Sequence, residues 1–331
     1  MSNILCIDVL NIIHRHFFIN SANVQLVEEG NDDELFRGKT VTPKELVGAT
    51  LSQTLSAVQA YVDKFKIDTV VFAFDNGKSW RKLYTSTEDC ISGKPYKGNR
   101  RNNLTPEQKR MFDIMFAYAE NFEELFREYT SVICLSRKHL EADDIIAGLC
   151  HRYADKHNIY IISTDKDLIQ LLGYENVKLV NAAANNEFRT LDSWDGDYKY
   201  FIFEKCFRGD TGDNVCASYP RLRSTKIKQA YTDPYLFEQL MNHEWTDHRA
   251  TTIKVRDLYQ ENILLMDLYK QPEHIKVMID ETLDECNEPQ TKFNFMKFCK
   301  CLGKYGIKKA SDNITRYTFL HKNASLRDEA S

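Results

Sequence analysis

Nine acidic residues stand at the ends of apolar, strand-like runs of this chain or in the turns that follow them. In chain order they are Asp8, Asp75, Glu141, Asp143, Asp144, Asp165, Asp167, Asp210 and Asp213. The carboxyl ends of parallel strands meet at one edge of an open sheet, so these acids can share one pocket although they are distant in sequence. Crowded carboxylates repel one another, and an all-oxygen site suits hard divalent cations such as Mg²⁺. The pattern therefore predicts a metal site built from carboxylates.

The first acids of the series have partial explanations in ordinary structure. Asp8 and Asp75 each close an apolar run, which is commonplace for a single Asp. Glu141, Asp143 and Asp144 fall in the first turn of an apparent helix, where the helix dipole favours acids. Three acids in one turn exceed what capping needs. Glu141 and Asp144 share a helix face, whereas Asp143 points elsewhere and is expected to reach a different ion.

The last two acidic motifs lie in loops. Asp165 and Asp167 follow the apolar run 160–162, and one of them can instead cap the next helix. Asp210 and Asp213 lie three residues apart in a glycine-containing turn whose backbone can bend sharply. An EF-hand is excluded, because the alternating oxygen ligands of a calcium loop are missing. Each motif alone is a weak signal, whereas five of them in this order are a strong one.

The composition allows a large folded protein and disfavours several classes. A chain of 331 residues that is 43% hydrophobic and 28% charged can bury a full core, in one extended domain or two. Its apolar runs are too short to cross a bilayer and its amino terminus shows no signal pattern, so we expect a cytoplasmic protein without a membrane partner. The nine cysteines form no C-x-x-C pair, which favours reduced thiols over a zinc site.

The charge distribution leaves room for a nucleic-acid partner. The net charge of −4 argues against one at first, because phosphate contacts need Lys and Arg. Setting the nine acids aside leaves the rest of the chain net positive, with basic runs at 94–101, 221–228 and 292–309. Taken singly, each run can also be an ordinary solvated face.

The order of apolar and helical patterns predicts an α/β fold with a mostly parallel sheet flanked by helices. Strand-like runs occur at 3–9, 69–74, 131–135, 159–163 and 177–181. Capping boxes beginning at Thr42 and Thr105, each with Pro at the first helical position, open two of the long helices between them.

Three segments are expected from the way these patterns change along the chain. Residues 1–196 form the α/β core, which contains a basic insertion at 76–104. Residues 197–322 show no strand signal and are expected to be helical and DNA-binding. Residues 323–331 are expected to be a disordered tail.

Six motifs together make the chain resemble the 5′ nuclease or flap endonuclease superfamily, and most closely the bacteriophage 5′-to-3′ exonucleases of the ribonuclease H type. The matching motifs are Asp8, Phe74-Asp75, Tyr96-Lys97-Gly98-Asn99-Arg100, Glu141-Ala142-Asp143-Asp144, Ser163-Thr164-Asp165-Lys166-Asp167 and Gly209-Asp210-Thr211-Gly212-Asp213-Asn214. They follow the family order from residue 4 to about residue 230, and all nine acidic positions of the family are filled.

The resemblance implies a PIN-like core and two Mg²⁺ ions, for which Mn²⁺ can substitute. It places Asp8, Asp75, Glu141 and Asp143 nearest the first ion. The acids implied for the second ion, directly or through water, are Asp144, Asp165, Asp167, Asp210 and Asp213. Two such ions explain phosphodiester hydrolysis, because one activates a water molecule and the other stabilises the leaving oxygen.

The resemblance also implies that the insertion is a helical arch that admits the single-stranded 5′ end. Lys97 and Arg100 match the arch residues that contact the scissile phosphate, and Arg can add a bidentate clamp. Tyr96 is expected either to stack on an unpaired base or to pack at the base of the arch. Further phosphate contacts are expected at Arg81, Lys82 and Arg101.

After Asn214 the family has a helix-three-turn-helix with a glycine-rich hairpin. The glycines are missing from residues 215–226 of this chain, so the sequence gives no support for the monovalent-cation site that accompanies such a hairpin. Side chains are expected to grip the duplex phosphates instead. The candidates are Arg221, Arg223, Lys226 and Lys228.

The implied function is a metal-dependent 5′-to-3′ exonuclease and flap endonuclease that removes RNA primers and 5′ flaps from duplex DNA during replication. Its expected partners are branched or 5′-tailed duplex DNA and RNA–DNA hybrid, with a single-strand-binding protein or sliding clamp as further candidates for a monomeric enzyme. Two alternatives stay open. One is a PIN-type ribonuclease, against which the motifs at 96–101 and 210–214 argue, and the other is a DNA-structure-binding factor that uses metal only for folding.

Overall fold

The computed structural model describes residues 1–22, 24–27, 39–100, 104–183, 186–247, 250–287, 292–307, 314–324 and 326. Arg101, the end of the third basic run from 308 onward, and residues 325 and 327–331 of the expected tail lie outside the described residues.

Within the described residues, ten short strands form one central sheet and two small ones. In chain order they are β1 (Asn3–Asp8), β2 (Val24–Leu26), β3 (Lys39–Val41), β4 (Thr69–Ala73), β5 (Ile133–Leu135), β6 (Asn158–Ile162), β7 (Val177–Asn181), β8 (Glu187–Phe188), β9 (Glu244–Thr246) and β10 (Thr252–Lys254). The central sheet has the order β5-β4-β1-β6-β7-β8, and only β8 is antiparallel to its neighbour. Each of the five predicted strand runs overlaps one of its parallel strands, which confirms that part of the sequence analysis.

The helices cover both faces of this sheet. They are α1 (Val9–Ser21), α2 (Pro43–Phe65), α3 (Trp80–Tyr84), α4 (Pro106–Tyr129), α5 (Ala142–Tyr153), α6 (Tyr198–Arg208), α7 (Ser224–Thr232), α8 (Pro234–Met241), α9 (Val255–Met266), α10 (Glu273–Asp284) and α11 (Phe295–Lys304), with short 3₁₀ segments between some of them. No helix among the described residues is long and apolar enough to cross a bilayer.

The alternation of side chains along β1 divides the core into two layers. Leu5 and Ile7 belong to a hydrophobic cluster with α1, α2, α4 and α11, whereas Ile4 and Cys6 belong to a cluster with α5, α6, α9 and α10. Because β1 is buried on both faces, its sequence is continuously apolar rather than alternating. The predicted α/β architecture, with a mostly parallel sheet flanked by helices, is confirmed.

Both predicted capping boxes are present. The Thr42 hydroxyl accepts a hydrogen bond from the backbone N–H of Glu45, and the Glu45 carboxylate accepts one from the backbone N–H of Thr42. Thr105 and Gln108 form the same pair of bonds at the start of α4. Each box satisfies backbone donors that the first helical turn leaves unpaired.

The insertion departs from the expected helical arch. Between residues 76 and 100 the structure contains only the five-residue helix α3 and otherwise consists of turns. The buried carboxylate of Glu261 on α9 accepts hydrogen bonds from the backbone N–H groups of Ile91 (2.5 Å) and Ser92 (3.1 Å). The described part of the insertion is therefore tied to the carboxy-terminal helices.

Two expectations for the carboxy-terminal part need correction. The region after residue 197 is mainly helical, but β9 and β10 form a hairpin there that the sequence analysis missed. The expected disordered tail begins with packed residues. Asn323 exchanges hydrogen bonds with the backbone of Val70 (2.6 and 3.0 Å), and the side chain of Leu326 is buried.

We predict that Gly148→Ala destabilises the fold, because α5 and α10 approach each other closely at this glycine. A Cβ atom at residue 148 would lie 2.2 Å from Cγ2 of Ile279 and 3.2 Å from Cδ1 of Leu283. Overpacking of this kind costs about 1–3 kcal/mol, which urea denaturation can measure.

Gly303 on α11 is the matched control for this substitution. A Cβ atom there meets nothing within 4 Å. Gly303→Ala is therefore expected to raise the free energy of unfolding by about 0.4–1 kcal/mol, because alanine lowers the conformational entropy of the unfolded chain. A Gly148→Ala variant as stable as the wild type would show that the two helices are not in close contact.

Candidate active site at the carboxyl edge of the sheet

Asp8, Asp75, Asp143 and Asp165 come together where parallel strands end. Asp8 is the last residue of β1, Asp75 follows β4 by two residues, and Asp165 follows β6 by three. Because β1 pairs in parallel with both β4 and β6, these ends lie at the same edge of the sheet. The charges of Asp75 and Asp165 act on Asp8, and those of Asp165 and Asp8 act on Asp143. The predicted convergence of distant acids is therefore present.

Asp8 is held by its neighbours and by the start of α1. Its Oδ1 accepts the backbone N–H of Asn11 (3.1 Å), as a helix cap, and its Oδ2 accepts the hydroxyl of Ser163 (3.1 Å). Burial, together with the charge of Asp75, raises the pKa of Asp8 to about 7 in spite of the Asn11 hydrogen bond. Near neutral pH this carboxyl is therefore poised between its protonated and ionised forms.

The pKa values of Asp75 and Asp143 are raised for the same two reasons. Burial and the charge of Glu141 raise the pKa of Asp75, although its Oδ1 accepts the backbone N–H of Ala142 at 2.8 Å. Burial and the charge of Asp165 raise the pKa of Asp143 well above its ordinary value. This part of the edge carries more negative charge than its surroundings neutralise, which favours binding of cations.

Asp165 serves in addition as a cap. Its Oδ1 accepts the backbone N–H of Asp167 at 2.8 Å, at the start of the 3₁₀ helix Asp167–Gly173. The sequence analysis left open that one acid of this pair caps the next helix. Asp165 is that cap, and it also lies among the gathered acids.

Asp167 and Asp210 share a lysine that the sequence analysis missed. Nζ of Lys205, on α6, contacts a carboxylate oxygen of Asp167 and lies 3.1 Å from Oδ2 of Asp210. Burial raises the pKa of Asp167 to about 6, and Lys205 limits that rise. A lysine in a helix is too common to carry a local sequence signal, and only the fold brings Lys205 to these acids.

Lys97 joins the two groups of acids. Its Nζ lies 2.7 Å from Oε1 of Glu141 and 3.8 Å from Oδ2 of Asp213. Its backbone adopts a left-handed conformation with φ of +55°, and its N–H donates to the carbonyl of Asp213 at 2.8 Å. The pKa of Lys97 is raised by both acids in spite of burial. The residue predicted to contact the scissile phosphate therefore lies inside the acidic site.

Arg100 lies at the outer side of the same site. Its guanidinium contacts Oδ1 of Asp213 at 2.5 Å, and about half of its side chain is exposed. Burial by itself would raise the pKa of Asp213, but Lys97 and Arg100 outweigh it and hold that pKa below its ordinary value.

The donor atoms fit divalent cations in their chemistry. The gathered ligand candidates are all carboxylate oxygens, which Mg²⁺ and Mn²⁺ prefer. Within the described part of the chain, however, no three His, Cys, Asp or Glu side chains are arranged to enclose a single ion. The acids are electrostatic neighbours rather than a finished coordination shell, and Lys97 and Lys205 act as their counter-ions.

Arg81 and Asp144 correct two site predictions. Arg81, predicted to contact DNA, is 3% exposed and donates to both oxygens of Asp144 (2.8 and 2.9 Å) and to Glu141 (2.9 Å). Its Nε donates to the carbonyl of Leu265 at 2.7 Å. Asp144, predicted to be a metal ligand, is fully buried and also accepts Nε1 of Trp80. In this structure Arg81 is the buried counter-ion of Asp144 and Glu141, and neither predicted role fits.

Tyr96 packs inside the protein. It is 6% exposed, its hydroxyl donates to Oδ2 of Asp213 at 2.8 Å, and its backbone N–H donates to the hydroxyl of Thr85. Base stacking on its ring is contradicted by this burial, and the packing alternative is the one that the structure shows.

The other predicted DNA contacts lie on the surface. Lys82 is partly exposed, whereas Arg221, Arg223, Lys226 and Lys228 are exposed. Lys228 forms an ion pair with Asp195 at 2.6 Å. The loop that carries Arg221 follows Asn214, whose side-chain amide donates to the carbonyl of Pro95 in the insertion at 2.9 Å. These residues therefore lie near the site along the chain, and their contact with DNA stays a prediction.

The fold and the site together define the class of nucleases that place carboxylates at the edge of a parallel sheet. The family model for the 5′-3′ exonuclease N-terminal resolvase-like domain matches residues 3–199, and the chain belongs to this family. The resemblance expected from the sequence motifs is thereby confirmed.

Curated relatives and solved structures agree with this assignment. The chain is 24% identical over 258 residues to the ribonuclease H of Enterobacteria phage T4, a match that covers 75% of this chain and 79% of that protein. It is 34% identical over 129 residues to a 5′-3′ exonuclease of Mycoplasmopsis pulmonis, covering 36% of this chain and only 42% of that protein. The T5 protein co-crystallised with metal ions has the same fold, with a TM-score of 0.60 at 19% identity over 92% of this chain and 99% of that one.

We predict that Asp8→Asn makes the metal-free protein less sensitive to alkaline pH. The folded protein holds the Asp8 proton with a pKa of about 7 against an ordinary value of 3.8. A pKa raised on folding contributes stability at low pH that is lost as the pH rises through 7. Asn cannot ionise, so the variant should melt a few degrees above the wild type at pH 8 and close to it at pH 5.

Thermal unfolding in EDTA from pH 5 to pH 9 measures this difference. Asp155→Asn, at an exposed position after α5, is the control and should follow the wild type throughout. If the stabilities of Asp8→Asn and the wild type change in parallel between pH 5 and pH 7, ionisation of Asp8 does not destabilise the folded protein.

We also predict that Arg81→Met strongly destabilises the protein. The substitution leaves the buried carboxylate of Asp144 without its cationic partner and leaves Glu141 with Lys97 alone, and breaking a buried pair from one side costs about 3–5 kcal/mol. Lys82→Met, one residue along, should change stability by no more than about 0.5 kcal/mol. Equal effects in urea denaturation would return Arg81 to the surface role first predicted for it.

Proposed function

We propose that this protein is a metal-dependent 5′-to-3′ exonuclease and flap endonuclease that removes RNA primers and 5′ flaps from duplex DNA during replication. The observation that carries the proposal is the meeting of two acidic groups around Lys97, which comes from the basic insertion. Family membership supports nuclease activity, and the T5 flap endonuclease with the same fold was crystallised with DNA and metal ions.

Divalent ions supply the two requirements of hydrolysis when they are bound, namely an activated water and a stabilised leaving oxygen. Asp8, Asp75, Glu141 and Asp143 are proposed to hold the first ion. Asp165, Asp167, Asp210 and Asp213 are proposed to serve the second, directly or through water. Two Mg²⁺ ions, replaceable by Mn²⁺, are proposed, in keeping with the divalent ions in structures of the T5 exonuclease.

The basic residues of the site have complementary roles. Nζ of Lys97 lies 2.7 Å from Oε1 of Glu141 in this structure. If bound cations neutralised the acids, the ammonium of Lys97 would be free to leave Glu141 and contact the scissile phosphate. Arg100, half exposed, can then orient the same phosphate with its planar fork. The products carry a 5′ phosphate and a 3′ hydroxyl.

Duplex binding is proposed for the exposed residues Arg221, Arg223 and Lys226. They follow the turn that holds Asp213, so a duplex gripped there would present its end to the acids. Branched or 5′-tailed duplex and RNA–DNA hybrid are the proposed substrates of a monomer acting in the cytoplasm. A single-strand-binding protein and a sliding clamp stay predicted partners.

One set of contacts favours this function over a PIN-type ribonuclease. Lys97 and Asn99 of the insertion bind the backbone carbonyls of Asp213 and Thr211, so the two motifs that argue against the ribonuclease are joined in space.

We predict that Asp143→Asn and Asp165→Asn each lower cleavage of a 5′-flap duplex by at least about 100-fold, since even the outer partners of metal ligands contribute up to that factor. Binding of the duplex in EDTA should be retained, because each change removes a negative charge that repels phosphate. Asp155→Asn is the matched surface control and should cleave like the wild type.

The assay compares a 5′-flap duplex with a single-stranded RNA of the same sequence, in Mg²⁺ and in EDTA. Cleavage of the flap only in Mg²⁺, lost in both active-site variants, is the expected result. Cleavage of the RNA alone would identify a ribonuclease, and tight binding without any cleavage would identify a binding factor.

A further inference from the structure

A cleft of about 430 Å³ lies where the insertion, the loop after Asn214 and the β9–β10 hairpin meet. Its lining includes the aromatic residues Tyr219, His243 and Trp245 and the basic residues Lys94 and Arg221. None of the nine acids of the active site lines it, and of the cleft residues named here only Arg221 has a role in the function proposed above.

The aromatic residues of the cleft are fixed in place. The rings of Tyr219 and His243 are stacked, with centroids 4.7 Å apart and an interplanar angle of 11°. Nε1 of Trp245 donates to the carbonyl of Ser218 at 2.9 Å, which anchors the indole to the loop. Flat, immobilised rings of this kind are the platforms on which nucleic-acid bases stack.

The charged residues of the cleft complete a nucleotide site. Lys94 and Arg221 are exposed cations beside the rings and suit one phosphate. Asp247 also lines the cleft, and its Oδ1 accepts the backbone N–H of Thr251 at 2.9 Å. A carboxylate there disfavours a second phosphate and can accept a hydrogen bond from the amino group of a base.

The backbone of the loop at Arg221 limits how the loop can bind phosphate. Arg221 has φ of +61°, a left-handed conformation that residues other than Gly, Asn and Asp adopt reluctantly. The preceding Pro220 has no N–H to offer a phosphate. The loop therefore does not bind phosphate through consecutive backbone amides, and the side chains of residues 219 and 221 provide its chemistry.

The cleft adjoins the active site. Lys94 precedes Lys97 by three residues, and Cys216, another lining residue, follows Asp213 by three. Three residues span about 10 Å at most, and the two segments are joined by the bonds from Asn214 to Pro95 and from Lys97 to Asp213. A strand that has one phosphate at the acids can therefore place a neighbouring nucleotide in the cleft.

We propose that this cleft binds one unpaired nucleotide of the substrate, with its base on the aromatic rings and its phosphate at Lys94 and Arg221. The proposal rests on the nuclease function proposed above and names a part of the substrate that this chain recognises outside its acids. The nucleotide can come from the 5′ flap or from an unpaired 3′ end opposite it, since both have the same chemistry.

Fluorescence of 2-aminopurine distinguishes these two sources. The base is placed as the first unpaired nucleotide of a 5′ flap, as a single unpaired 3′ nucleotide, or within the duplex as a reference, and binding is followed in EDTA. Stacking in the cleft should quench the fluorescence of one of the two unpaired probes. Tyr219→Leu should abolish that quenching and weaken binding of the same substrate roughly tenfold.

Arg221→Asn is the second variant, because Asn tolerates the left-handed backbone while the charge is removed. It should weaken binding. It should also reduce the slope of log K against log salt concentration by about one, which is the contribution of one phosphate contact. Tyr235→Leu, at a 74% exposed position on α8 outside the cleft, is the matched control and should bind like the wild type. If Tyr219→Leu does not fold by circular dichroism, the 2-aminopurine signal of Arg221→Asn decides the question, because a contact of Arg221 with duplex phosphate alone would leave the quenching in place.

The outcomes separate this proposal from the proposed function. If the wild type cleaves flaps in Mg²⁺ but the substitutions at Tyr219 and Arg221 leave the fluorescence of both unpaired probes unchanged, the cleft proposal is wrong and the nuclease function stands. If quenching depends on Tyr219 while no substrate is cleaved, the cleft proposal stands and the nuclease is wrong.

Discussion

The repulsion among carboxylates at one sheet edge is the constraint on which the rest of this structure depends. Ionised groups that are buried together destabilise a fold unless opposite charges or protons accompany them. Among the described residues the compensation comes from cations on α3, on α6 and in the insertion, where Arg100 also contacts Asp213. Arg81 on α3 neutralises Glu141 and Asp144, Lys97 in the insertion bridges Glu141 and Asp213, and Lys205 on α6 holds Asp167 and Asp210. The insertion and α6 are therefore part of the electrostatics of the site, as well as elements of the fold.

Much of the fold could be predicted because its strands are buried on both faces. Buried parallel strands read as apolar runs, and each of the five predicted runs overlaps one. The capping boxes at Thr42 and Thr105 marked two helix starts through local side-chain chemistry. The missed strands are only two or three residues long, too short to show any periodicity. Asn323 was missed for another reason, since its bonds to Val70 join segments more than 250 residues apart.

The site could be predicted as a set of acids but not as a set of roles. Helix periodicity separated Asp143 from Glu141 and Asp144, and the structure bears this out, because the latter two share Arg81 while Asp143 interacts with Asp165. Which of two neighbouring basic residues would be buried could not be read from the sequence. Arg81 and Lys82 differ in role only because α3 turns one side chain toward α5. Lys205 carries no local signal at all.

The bond between Glu261 and the backbone at Ile91 and Ser92 has a consequence for how the enzyme meets its substrate. The described part of the insertion loses its conformational freedom when the protein folds, so a substrate does not have to order it on binding. The same bonds couple the position of α9 to the segment that leads to Lys97, so the carboxy-terminal helices help to set where that lysine lies.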